Sequence, residues 1–74
     1  MSIAYAYILV DSTGHALKIE KILSQYQLAC KLVPVPRHLS SDCGVCVRVN
    51  RLQVEEIRTI LREGKADYQA IEET

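Results

Sequence analysis

Apolar and polar positions follow two rhythms along this chain, and the rhythms predict its elements. The run "IAYAYILV", residues 3–10, is aliphatic, aromatic and β-branched with no charge, which suits a buried strand. "DSTGH" then supplies turn and N-cap chemistry, with Ser12 or Thr13 able to accept from the first free amides of a helix. Ala16, Ile19, Leu23 and Tyr26, joined by Leu17 and Ile22, recur at helical spacing and predict a helix over about 13–27. "ACKLVPV", residues 29–35, reads as a second strand, and its Pro34, which has no N–H for a ladder, places that strand at an edge.

A polar loop over 36–42 precedes "VCVRVN", where Val45, Val47 and Val49 share one face and Cys46 and Arg48 the other. Asn50 is a good N-cap, with Gln53 placed for a partial capping box. Val54, Ile57, Ile60 and Leu61 form the stripe of a second helix that Gly64 ends. "ADYQAI" predicts a weak last strand and "EET" a frayed acidic tail.

Strand–helix–strand–strand–helix–strand is the order of an α+β, ferredoxin-like split βαβ (βαββαβ) two-layer sandwich. Its four-stranded antiparallel sheet carries two helices on one face, in a single domain over residues 1–74. The first and third strands are central antiparallel neighbours in this arrangement. The loop entering the third strand therefore lies beside the loop leaving the first. Pro36 to Cys43 should sit against Ser12, Thr13, Gly14 and His15.

Composition narrows the function. Nine basic residues balance nine acidic ones, and phenylalanine and tryptophan are absent, so nucleic-acid binding is disfavoured. The eight-residue apolar run is too short to span a bilayer and lacks the marks of a signal peptide. The chain reads as soluble and cytoplasmic, and its three cysteines as reduced thiols rather than a disulfide framework.

The chemistry concentrates in "PRHLSSDCGVCVRV", residues 36–49. A helix N-terminus offers free amides and partial positive charge, and Arg37, His38 and His15 add donors. A thiol among these groups is favoured as thiolate, which makes Cys43 the candidate nucleophile or carrier. Gly44 has no side chain to block a partner. Ser40 and Ser41 read as turn residues, and Asp42 as pointing away from the thiol or pairing with Arg37. Cys46, inside the alternating strand, reads as a small packing residue, and Cys30 as core. If residues 43–46 are extended, the two thiols of this CxxC point to opposite faces and cannot bridge without a bulge at Gly44.

"DSTGHALKIEKIL" and "KLVPVPRHLSSDCGVCVRV", with the spacing between them, resemble the bacterial selenium/sulfur carrier-like proteins. The shared pattern is Ser-Thr-x-x-Ala-Leu, then Pro-x-Pro-Arg, then Ser-Ser-x-Cys-Gly, over roughly residues 5–63. The resemblance implies a thiol carrying sulfur or selenium, matching Cys43, and donor and acceptor proteins as partners. Cys46 departs from the family pattern, so a redox role for the CxxC is not inherited.

The leading expectation is a carrier of a persulfide or selenopersulfide on Cys43, supported by Gly44, Ser12, Thr13, His15, Arg37 and, more remotely, Cys46. No cofactor or metal is called for, and nothing resembles a general acid–base pair, so a carrier is favoured over a stand-alone enzyme. The alternatives are a CxxC redox dithiol, a zinc site at Cys43, Cys46, His15 and His38, and an interaction or regulatory module without chemistry. Tyr5, Tyr7 and Tyr68 are expected on the helix-free sheet face, a candidate homodimer surface.

Overall fold

A computed structural model describes residues 4–39 and 43–73. The chain forms β1 (Tyr5–Leu9), α1 (Thr13–Gln25), β2 (Cys30–Pro34), β3 (Val45–Asn50), α2 (Val54–Glu63) and β4 (Ala70–Glu73). All pairings are antiparallel, in the order β2-β3-β1-β4, so the α+β split βαβ arrangement is the fold of the chain. β2 is an edge strand, where the missing N–H of Pro34 costs no ladder bond.

The two faces of the sheet separate by the strand period of two. Ala6, Ile8 and Val10 are fully buried towards the helices, with Val47 and Val49 opposite Ile8 and Ala6 on β3. Ala16, Ile19 and Leu23 of α1 and Val54, Ile57, Ile60 and Leu61 of α2 close that core. Cys30, Leu32, Val45, Tyr68 and Ile71 pack against its margin. Burying one such Ile or Leu side chain is worth about 1.5–3 kcal/mol, and this single layer is the main source of stability.

Four local readings are corrected by tertiary structure. Leu17 (52 % exposed) and Tyr26 (55 %) lie outside the buried stripe of α1. Tyr68 packs against the helix-side core rather than joining Tyr5 and Tyr7 on the open face. The last strand runs through Glu72 and Glu73, because β1 still offers Tyr7 and Ala6 as partners and an edge strand tolerates exposed acids. Finally, Asn50 caps a 3-10 turn over Arg51–Gln53, accepting from the Leu52 N–H at 2.9 Å, before α2 begins. Gln53 makes no capping bond, and its Oε1 is buried without a partner among the described residues.

Gly64 ends α2 for a reason other than handedness. Its φ is −82°, while the next residue, Lys65, takes the left-handed conformation at φ 53°. A Cβ at position 64 would stand 3.3 Å from the Ile60 carbonyl oxygen and 3.4 Å from Ile22 Cδ1. The glycine therefore permits close approach of the α2 terminus to α1, and a lysine bears the backbone cost. Gly64→Ala should destabilise the protein by about 1 kcal/mol through overpacking. Lys65→Gly should stabilise it by about 1 kcal/mol by removing the left-handed penalty. Urea denaturation of the two variants checks both signs.

Candidate functional site

β1 ends at Leu9, and the chain turns through Val10 and Asp11 into α1. Gln69 secures this corner from the β4 side: its backbone N–H donates to the Leu9 carbonyl at 2.7 Å and its Nε2 to Asp11 Oδ1 at 2.6 Å. The Asp11 carboxylate is thus held away towards β4. Ser12 caps α1 in an extended conformation, its Oγ accepting from the His15 N–H at 3.3 Å and its carbonyl from the Ala16 N–H at 3.2 Å. The amides of Thr13 and Gly14 precede the first intrahelical bond and have no helical acceptor.

Cys43 arrives at this terminus from the other side. The Val35 N–H donates to the Gly44 carbonyl at 3.1 Å, which extends the β2–β3 pairing one residue past Pro34 and Val45. Position 43 therefore shares the helix-side face of Val45, Val47 and Val49, and Cys43 belongs to the same core cluster. Its Sγ lies 3.8 Å from Thr13 Oγ1, across thirty residues of sequence, and the residue keeps 9 % exposure.

The thiol is packed, but the backbone beside it is bare among the described residues. Among the described residues, a Cβ built on Gly44 meets nothing within 4 Å, and one on Gly14 meets only Ser12 Oγ at an ordinary 3.7 Å. Neither glycine has a positive φ. Packing and backbone conformation thus leave room for a side chain at both positions, and the sequence leaves them empty. Gly14 is exposed beside Thr13, and Gly44 is exposed beside the thiol.

Of the residues expected here, the structure brings together Cys43, Gly44 and Thr13, with Ser12 as the helix cap behind them. His15 Nδ1 stands 2.8 Å from Ser12 Oγ, so the imidazole is engaged at the cap and not at the thiol. Arg37 and His38 are exposed in a turn that the Leu39 N–H closes on the Pro36 carbonyl at 3.0 Å. Ser40, Ser41 and Asp42 lie outside the described residues.

Cys46 belongs to the opposite face. It lies directly across from Leu9 and Val33 and is 0 % exposed, yet it stands outside the helix-side core cluster. None of the three cysteines is in a disulfide. Cys43 stands in a bend just before β3 and joins the helix-side core, whereas Cys46 stands outside that core, so a disulfide between them requires the backbone to move. Among the described residues, no three His, Cys, Asp or Glu side chains gather as metal ligands. No helix among them is long and apolar enough to cross a membrane.

The two other thiols are held in their neutral form. Burial pushes Cys46 up from the ordinary 9.0, and the neighbouring Cys43 adds to the effect. Burial also raises Cys30, whose Sγ points at the Glu20 carbonyl, and the Glu20 carboxylate adds to it. Folded values above the unfolded one mean that this stability is complete below about pH 9.0 and is lost as pH rises through the folded values. The unfolding free energy should therefore decline above pH 9.0, more steeply in the wild type than in Cys30→Ala or Cys46→Ala. Identical pH slopes in all three proteins would remove these thiols as the cause.

Residues 5–73 match the model of one family, described as "Putative Se/S carrier protein-like". No curated protein and no solved structure matches the chain.

Proposed function

The chain belongs to the Se/S carrier protein-like family, and on that premise we propose that Cys43 receives a sulfur or selenium atom from a donor protein and passes it to an acceptor. The observation that carries this reading is the setting of the Cys43 thiol. It lies against Thr13 at the α1 N-terminus, flanked by two glycines that neither packing nor backbone conformation demands.

The step is an exchange between sulfurs. The Cys43 thiolate attacks the terminal sulfur of a donor persulfide, and a new S–S bond forms at Cys43 Sγ. The donor's own S–S bond breaks, its electron pair leaves with the donor thiolate, and no external oxidant or reductant is consumed. Transfer onward repeats the step with an acceptor thiolate as nucleophile and the Cys43 thiolate as leaving group. A selenopersulfide follows the same course with selenium as the transferred atom.

The geometry serves this chemistry in two ways. The helix N-terminus favours an anion, and both the Cys43 thiolate and its persulfide are anions. A mostly buried thiol needs its donor to approach closely, and Gly44 and Gly14 leave the backbone bare for a partner loop.

Loading with a cysteine desulfurase and free cysteine tests the proposal by peptide mass spectrometry. The peptide containing Cys43 should gain one sulfur, and Cys43→Ser should abolish the gain. Loading on Cys30 or Cys46, or none at all, overturns the carrier role. Gly44→Val should slow loading from the protein donor by roughly tenfold, the equivalent of about 1.4 kcal/mol. Its iodoacetamide reaction should change much less, since a small reagent does not need the bare backbone. Equal slowing of both reactions would locate the effect in the thiol itself and not in docking.

A further inference from the structure

At the opposite end of the sheet from Cys43, between residues 29–31 entering β2 and 48–50 leaving β3, lies a pocket of about 230 Å³. We propose that this pocket binds a small oxyanionic ligand through Lys31, Arg48 and Asn50, with Tyr5 as the wall that orients Arg48.

The strand register creates the site. Lys31 lies directly opposite Arg48, so two cations share one face of adjacent strands. Like charges in that position destabilise a sheet. No ion pair to either is present among the described residues. Glu72 and Glu73 sit on β4, the far edge beyond β1, and no acid lines the pocket. An anion from outside removes this repulsion.

The donors are also held ready. The Arg48 guanidinium carbon stands 4.2 Å from the centre of the Tyr5 ring. This cation–π contact holds the guanidinium over the ring, and a guanidinium so held can still offer N–H groups for the paired bonds that carboxylate and phosphate accept. Asn50 Oδ1 is occupied by the Leu52 N–H at 2.9 Å, which turns the amide's NH₂ into its available group. Lys31, Arg48 and Asn50 thus line one pocket with apolar walls and no carboxylate among its lining residues.

Size sets the class of ligand. Sites for drug-sized molecules run to about 300–1,000 Å³, and this one is smaller. It suits a short organic acid or a small phosphate ester. The pocket is separate from the carrier thiol, so its occupancy is independent of the sulfur-transfer reading.

The test is an amide chemical-shift titration of the folded protein with inorganic phosphate and with acetate, each at fixed ionic strength against sodium chloride. Saturable shifts should cluster at residues 5, 29–31 and 48–50 for at least one anion. The anion that saturates at the lower concentration identifies the headgroup. Arg48→Gln and Lys31→Gln should each weaken binding by roughly tenfold, as expected for loss of one charge-assisted bond. Lys31, exposed on an edge strand, provides the comparison should Arg48→Gln unfold. Cys43→Ser should titrate like the wild type. Shifts that grow linearly with both anions, that scatter over other basic residues, or that persist unchanged in Lys31→Gln overturn the proposal.

Discussion

The antiparallel pairing of β1 with β3 is the constraint on which the other features depend. It runs from Tyr5 opposite Asn50 to Leu9 opposite Cys46, and it sets the face of every residue on both strands. A slip of one residue would exchange the faces. Val47 and Val49 would leave the helices, and position 43 would turn away from α1. The register is locked by what it buries: Ile8 and Val47 are both fully inaccessible and face each other across the central pair. The thiol's place beside Thr13 is thus a consequence of apolar packing several residues away.

The same pairing gives the domain two ends of different character. One end gathers a helix terminus, two bare glycines and a sulfur. The other gathers two cations, an amide and an aromatic ring. Between them the core is purely apolar, with no buried charged residue among those described. That core fixes the register and supplies stability, and the polar chemistry is confined to the rims, where loops and strand ends meet water.

Much of this was legible in the sequence because local signals and the global fold agree. The alternation in "VCVRVN" predicts β3 at its true bounds and assigns Cys46 and Arg48 to the face opposite the valines. Pro34 marks an edge, and Ser12 marks a cap. The meeting of Cys43 with Thr13 follows from topology once the element order is read. What escaped depends on partners remote in sequence. Leu17 has the spacing of a core residue, but α1 turns it outward because Ala16, Ile19 and Leu23 already fill the contact with the sheet. Glu72 and Glu73 have poor strand propensity and become strand only because β1 offers them a ladder. The cationic pocket was invisible for the same reason: Lys31 and Arg48 become neighbours only through the β2–β3 register, and periodicity within one strand carries no sign of it.

The placement of the two cysteines of the CxxC bears on how long a carrier could keep its cargo. A persulfide on Cys43 has a natural enemy in any nearby thiolate, which can attack the inner sulfur, close a disulfide and expel the cargo as hydrosulfide. Cys46 is three residues away, yet it faces the other side of the sheet beside Leu9, and burial keeps it protonated. Burial on the other face thereby keeps the one thiol close enough in the chain to discharge the loaded atom from doing so. Under the carrier reading, setting Cys43 on the helix side and burying Cys46 on the other works as insulation: it leaves release of the atom to an acceptor that comes from outside.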